Sequence, residues 1–197
     1  MQLKKTFTKI HELFVKTIVI DGFYKFTNNE PNTSKTYLLA MKIVFLTVGK
    51  TIDSHLNSLQ EAYQNRLIHY ISFEYMFVQE LKNTKKLSEN EQKEKEADLL
   101  LKIVEPTDEL ILLDDKGMQF SSIEFANFLS KKMLSSTKRM IFVVGGPYGF
   151  SSRMYARAQS KLSLSAMTFS HQMVRLIFVE QLYRAFTIIK GEPYHHE

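Results

Sequence analysis

The chain has 197 residues, of which 44% are hydrophobic and none is cysteine, and its formal net charge is +5. This size predicts one domain with a sizeable core, and the lack of cysteine excludes disulfides and thiolate metal sites, as expected of a protein of the cytoplasm. No run of 18 or more apolar residues occurs, so we expect no membrane-spanning helix.

Residues 1–40 differ in pattern from the rest of the chain. The stretch NNEPNTS at residues 28–34 is typical of a loop or of disorder, and a secretory signal with a clean apolar centre is not found. A fresh start follows at Met41, with MKIVFLTVGK. We predict that 1–40 is an extension, either disordered or the product of a misassigned start, and that 41–197 is one domain. The alternative is a genuine extension that contacts RNA or membrane.

After Met41, predicted strands alternate with predicted helices. The strands are expected at Lys42–Val48, Phe73–Val78, Glu109–Leu113 and Ile141–Val144. The helices are expected at 53–70, from 88 to before Pro106, at 122–134, at 151–158 and at 171–189. This alternation indicates an α/β fold with a parallel sheet, in which ligands bind beyond the carboxyl ends of the strands.

Three local details accompany these elements. Ser88 and Glu91 have the spacing of a capping box, and the charged half-helix that follows them is expected to be a solvated face. The stretch from Asp114 to Gly117 is expected to form the turn that ends the third strand. Gly191 is expected to terminate the last helix.

The turn Gly145 to Gly149 (GGPYG) follows the fourth strand. Two adjacent glycines let a ligand approach the main chain with no Cβ in the way. A dinucleotide fingerprint, a P-loop and a nucleophile elbow are all absent from the sequence. His195 and His196 are adjacent and His171 is distant, so no metal site is expected. By itself the turn is equally consistent with a functional site and with an ordinary tight turn at a strand end.

Four sequence blocks, in their order along the chain, resemble the RlmH family of SPOUT methyltransferases. They are GGPYGFS, LSLSAMTFSHQMVR, EQLYRAFTI and the terminal GEPYHHE. That family methylates N3 of a pseudouridine in bacterial 23S ribosomal RNA. The resemblance covers Met41 to Glu197. It implies a SPOUT-type sheet with helices on both faces and a C-terminal trefoil knot, a homodimer, S-adenosylmethionine as cofactor, and the ribosome as substrate. A non-catalytic RNA-binding or ribosome-assembly factor of the same fold is the alternative.

The resemblance also implies the cofactor contacts, which lie at strand ends and in one segment of small residues. They are Leu113, Gly145, Leu164, Ser165, Ala166, Met167, Thr168 and Phe169. Small residues expose main-chain N–H and C=O groups to an adenine edge, and three apolar side chains offer walls. Core packing is the alternative for those three, Leu113, Met167 and Phe169.

The target nitrogen carries a proton, so a base or an electrostatic group that favours its anion is required. The sequence offers His171, Arg153, Arg175, Arg184, Tyr194 and His195, of which we favour Tyr194, His195 and His171 as catalytic. A capping or core role is the alternative for His171. Arg153, Arg157 and Lys161 recur every four positions and, with Arg184, are predicted to contact RNA. Ordinary surface charge is the alternative.

Overall fold

The computed structural model describes residues 41–135 and 137–194. The predicted extension, residues 1–40, and the terminal His195, His196 and Glu197 lie outside these ranges. The strands are β1 Lys42–Val48, β2 Ser72–Val78, β3 Glu109–Gln119, β4 Arg139–Val144 and β5 Ser160–Ser163. The helices are α1 Ser54–Leu67, α2 Glu89–Leu101, α3 Ser122–Met133, α4 Ser152–Arg157 and α5 His171–Lys190, with one 3-10 turn at Thr84–Lys86.

The five strands form one sheet in the order β2-β1-β4-β3-β5. Every neighbouring pair is parallel, which confirms the predicted α/β fold with a parallel sheet. The central strands are nearly continuous apolar runs because they are buried on both faces, as parallel strands usually are. The carboxyl ends of all five strands therefore lie at one edge of the sheet.

Each face of the sheet has its own core. On one face, α1, α3 and α5 pack over the sheet, and the ring of Phe178 contacts those of Phe45 and Phe142 at centroid distances of 4.6 and 4.8 Å. On the other face, α2 and α4 contribute Leu100 and Met154 to a second apolar cluster. Helices thus cover both faces, as predicted.

The third strand does not end where the sequence predicted. Residues Asp114 to Gly117 continue β3 to Gln119 instead of forming a turn, and the pairing with β5 changes register between Leu113 and Met118. Gly117 permits this, because a Cβ there would lie 2.5 Å from the carbonyl carbon of Leu162. The partner strand β5 was not predicted, because four residues are too few for a hydrophobic period to be recognised.

Side-chain caps fix the helix ends that the sequence predicted. Asp53 accepts bonds from the first turn of α1, and Ser88 with Glu91 forms the expected capping box of α2. Ser151 caps α4, and Gly191 ends α5 with φ of 66°. None of the helices in the described part of the chain is both long and apolar enough to cross a membrane.

Candidate active site

A cavity of about 480 Å³ lies at the carboxyl edge of the sheet. Four pieces of chain form its walls: the stretch of β3 from Leu113 to Lys116, the β4–α4 turn, the segment after β5, and the first turn of α5. Its volume falls in the range of small-molecule sites, and its place is the one expected in a parallel α/β sheet.

Seven of the eight residues predicted to contact the cofactor line this cavity. They are Leu113, Gly145, Leu164, Ser165, Met167, Thr168 and Phe169. Ala166 belongs to the same segment but is not among the lining residues. The structure thus brings the predicted residues together from three separate parts of the chain. That they bind a cofactor stays a prediction.

Two serine side chains fix the conformation of the segment after β5 by local hydrogen bonds. Ser163 Oγ donates to the carbonyl of Ser165 at 2.9 Å, and Ser165 Oγ accepts from the N–H of Met167 at 2.9 Å. Met167 is 74% exposed and Phe169 is 37% exposed, so plain core packing does not account for either side chain. Leu113, by contrast, is 9% exposed and belongs to the core as well as to the cavity wall.

The glycine-rich turn leaves bare main chain at the cavity. A Cβ on Gly145 would lie 3.1 Å from the ring of Phe150 and 3.2 Å from the carbonyl oxygen of Gly149, so a side chain there would be crowded. Gly149 has φ of +78°, a left-handed conformation that favours glycine. These constraints explain the glycines at both positions.

Behind the turn lies a buried carboxyl that the sequence did not reveal. Glu96 of α2 is 3% exposed, accepts a 2.9 Å bond from Gln92 Nε2, and accepts the N–H of Gly146. Burial raises the pKa of this carboxyl above its ordinary value. The expectation that the charged half of α2 is a solvated face is therefore wrong for Gln92 and Glu96, because that side of the helix packs on the turn.

The structure adds a polar wall at the end of β3. The hydroxyl of Tyr155 donates to Asp114 at 2.5 Å, and both residues line the cavity. Desolvation and this carboxylate raise the pKa of the Tyr155 hydroxyl, which therefore keeps its proton. Sequence reasoning missed both residues, although the position of Asp114 directly after Leu113 at a strand end could have indicated it.

His171 lines the cavity as the first residue of α5. Partial desolvation and the nearby positive charge of Arg175 lower the pKa of its imidazole, whereas Glu80 acts in the opposite sense. A neutral imidazole at the cavity can accept a proton. His171 is thus the member of the predicted catalytic set that the structure brings beside the predicted cofactor residues.

Tyr194 lies at the other end of the same helix. Its hydroxyl bonds to Glu180 Oε1 at 3.1 Å and to the hydroxyl of Tyr63 at 3.3 Å, and desolvation raises its pKa. The 20 residues of α5 span about 30 Å at 1.5 Å per residue, so Tyr194 is remote from the cavity of its own chain. His195 lies outside the described residues. Catalytic roles for both stay predictions.

The four predicted RNA contacts are all engaged within the chain. Arg153 pairs with Asp98 at 2.7 Å, and Arg157 donates to the main-chain oxygen of Glu105 at 2.6 Å. Arg184 Nη2 lies 2.8 Å from Glu180 Oε1. Lys161 Nζ lies 5.6 Å from the centroid of the Tyr155 ring. RNA binding by these residues stays a prediction. The described residues contain no cluster of three His, Asp or Glu suited to a metal.

The chain is similar to known proteins over most of its length. Residues 41–195 match the family model described as predicted SPOUT methyltransferase. Proteins named ribosomal RNA large subunit methyltransferase H match it at 55% identity in Parabacteroides distasonis, over 80% of this chain and 100% of the relative. The one from Christiangramia forsetii is 56% identical over 79% and 99%, respectively. The resemblance drawn from the four sequence blocks is therefore confirmed, and the chain belongs to the SPOUT methyltransferase family.

Proposed function

We propose that this protein transfers a methyl group from S-adenosylmethionine to N3 of a pseudouridine in 23S ribosomal RNA of the large subunit, on the assembled ribosome in the cytoplasm. The observation that carries the proposal is the cavity, which gathers seven predicted cofactor residues and the imidazole of His171. The relatives' names, which specify ribosomal RNA of the large subunit, support the substrate class.

The cavity fits such a methyl donor. Gly145 and Gly146 offer main chain without side chains, the exposed Met167 and Phe169 offer apolar surface, and Asp114 offers a carboxylate. When bound, S-adenosylmethionine supplies an electrophilic methyl group. The chain's own residues hold the reactants in line and exclude water, a contribution worth about 7–11 kcal/mol in well-oriented reactions. His171 accepts the proton of the target nitrogen.

A homodimer with a trefoil knot in each subunit is part of the proposal. The apolar side chains of Ile52, Met167 and Met173 are exposed, and exposed apolar side chains that lie together favour a protein partner. The bond from the Ile52 N–H to Gln172 brings Ile52 to the start of α5, where Met173 lies. We take the partner to be a second copy. The tail of one subunit, with Tyr194 and His195, would then reach the cavity of the other. The knot is proposed from membership of the SPOUT methyltransferase family. Residues 1–40 remain an extension outside the family match.

The test is methyl transfer to ribosomes that lack the modification. Large subunits from a strain deleted for this protein are incubated with the purified chain and labelled S-adenosylmethionine, and the nucleosides are then mapped by mass spectrometry. We expect one methylated pseudouridine in 23S ribosomal RNA. Binding of ribosomes without any methyl transfer would contradict the proposal and identify a non-catalytic assembly factor.

A further inference from the structure

Arg175 is a buried arginine without a carboxylate among its hydrogen-bond partners. It is 2% exposed, and its Nη2 donates to the carbonyl of Val48 at 2.8 Å, while its Nη1 lies 3.5 Å from Thr51 Oγ1. Within the described residues its Nε has no hydrogen-bond partner. The negative charge of Glu80 acts on Arg175 without forming a direct ion pair. Burying a charge that no carboxylate contacts directly is costly, so such a residue is a candidate for a functional role.

Two other described arginines, one partly buried and one exposed, have a carboxylate as partner. Arg139 pairs with Asp108 at 2.9 Å, and Arg153 pairs with Asp98 at 2.7 Å. These guanidinium groups have an evident structural purpose, because each neutralises a carboxylate on a neighbouring element. The contacts of Arg175 instead join α5 to the end of β1 without neutralising anything.

Arg175 and Gln172 both attach the start of α5 to the end of β1 and the connection that follows it. Gln172 Oε1 accepts the N–H groups of Ile52 and Asp53, both at 2.8 Å, so the first turn of the helix is tied to the β1–α1 connection at two places. His171 precedes Arg175 by four residues and lies on the same side of the helix. The position of His171 at the cavity therefore depends on these ties.

The charges around His171 come from three parts of the chain. Arg175 approaches from α5 itself, and Glu80 approaches from the connection between β2 and α2, where it lies against Gly49. The charged and titratable side chains across the cavity belong to β3, to α4 and, at Tyr148, to the β4–α4 turn. Those of β3 and α4 are the larger group. They are Asp114, Asp115, Lys116 and Tyr155, of which Asp114 is bound to Tyr155.

We propose that Arg175 is a positioning residue of the reaction, whose buried guanidinium holds the first turn of α5 on the end of β1 and places a positive charge without a directly paired carboxylate beside His171. This inference rests on the proposed function. Partial desolvation and, after it, the repelling charge of Arg175 lower the pKa of the imidazole and so favour its neutral form. The target nitrogen gives its proton to that imidazole, and its lone pair bonds to the methyl carbon as the bond from carbon to sulfonium sulfur breaks, leaving a neutral thioether.

The experiment compares Arg175→Met, which removes the charge and keeps an apolar stem, with Arg175→Lys, which keeps the charge. A third variant, Glu80→Gln, removes the opposing charge at an exposed position, and Glu89→Gln, at the exposed start of α2, is its matched control. The titration of His171 is followed by NMR in the protein without RNA, with His171→Gln to assign the signal. The pH dependence of kcat/KM is measured on ribosomes lacking the modification.

Loss of a nearby positive charge raises the pKa of His171, and loss of a nearby negative charge lowers it. We expect the midpoint of the titration and the acid limb of kcat/KM to move to higher pH in Arg175→Met and to lower pH in Glu80→Gln. Arg175→Lys and Glu89→Gln should keep the wild-type midpoint. His171→Gln should lower kcat by about 100-fold, as for loss of a general base.

An unchanged His171 midpoint in a folded Arg175→Met protein, or an activity loss that is equal at all pH values, would overturn the inference. If Arg175→Met does not fold, Arg175→Gln, which keeps a donor for the Val48 carbonyl, decides: a His171 midpoint at higher pH supports the coupling and an unchanged midpoint overturns it. A wild-type protein that methylates no ribosomal RNA would refute the proposed function instead, whereas the NMR titration would still report on the coupling.

Discussion

Glu96 is a charged residue of a charged helix that the fold buries. Its carboxyl is buried behind the glycine-rich turn, where it accepts the N–H of Gly146 and a bond from Gln92. A Cβ at Gly146 would overlap this carboxyl, so the two residues fit each other without spare room. Glu96 therefore supports the wall of the cavity from outside.

Glu96 should make stability depend on pH. Burial raises its pKa in the folded protein, so between the ordinary pKa of a glutamate and the raised value the folded state binds more protons than the unfolded state. The free energy of unfolding contributed by this group therefore falls as pH rises through that window. In Glu96→Gln this part of the slope should disappear. Urea unfolding at several pH values between about 4 and 7 measures it.

Glu91→Gln is the matched control for this prediction, because Glu91 lies on the same helix and its capping bonds lower its pKa. A group with a lowered pKa adds stability that is lost as pH falls, the opposite sign. Equal changes of slope in the two variants would contradict our account of Glu96.

At the scale of helices and strands, the features that could be predicted from the sequence are those set by residues close together in the chain. The capping box of Ser88 and Glu91, the Asp53 cap and the Gly191 terminus follow from side-chain chemistry within a few residues. The extension of β3 and the existence of β5 depend on pairing between residues about 45 positions apart, made possible by the close approach at Gly117. Periodicity contains no information about such pairing.

The candidate site divides in the same way. The four sequence blocks predicted the segment from Leu164 to Phe169 and the glycine turn, and the structure brings both to one cavity. Asp114, Tyr155 and Glu96 were missed because their roles arise from packing between elements. Burial of a single charged residue on a charged helix cannot be seen in its sequence.

The attachment of α5 to the β1–α1 connection gives a second prediction. Gln172→Ala removes the acceptor of the Ile52 and Asp53 N–H groups and should cost about 1 kcal/mol of unfolding free energy. Hydrogen exchange at these two amides should accelerate, because the first turn of α5 loosens. Asn57→Ala, which removes an exposed bond to Glu61 within α1, is the control and should leave exchange at Ile52 unchanged. Equal exchange in both variants would show that Gln172 is not the tie.

The basic residues of α4 and β5 give a third prediction. The expectation that the three share one helical face is wrong, because the helix ends at Arg157 and Lys161 lies on β5. If Arg153, Arg157 and Lys161 contact phosphates, replacing all three by Gln should reduce the slope of log affinity for ribosomes against log salt by about 2–3. Replacing the exposed Lys102, Lys131 and Lys138, which are not among the predicted RNA contacts, removes equal charge and should leave the slope nearly unchanged. Equal slopes in both triple variants would argue against RNA contacts by α4, whose arginines would then serve their intramolecular partners alone.

At the scale of the whole molecule, α5 separates the two halves of the predicted catalytic set. His171 begins the helix at the cavity, and Tyr194 follows its far end, about 30 Å away at 1.5 Å per residue. The contacts of Tyr194 with Glu180 and Tyr63 fix it there. If both residues serve one reaction, they must come from different subunits of a symmetric dimer.

Mixing two variants tests this arrangement. His171→Gln disables the cavity of its own subunit, and Tyr194→Phe disables the tail of its own subunit, so each homodimer should be nearly inactive. In a mixed dimer one cavity meets an intact tail from the partner. Equal mixing gives half mixed dimers with one working site of two, so about a quarter of wild-type turnover should return. Purified mixed dimers carrying two different tags should regain about half. If the tail acted on its own subunit, every site in the mixture would lack one group and no activity would return, and full turnover by Tyr194→Phe alone would remove Tyr194 from the catalytic set.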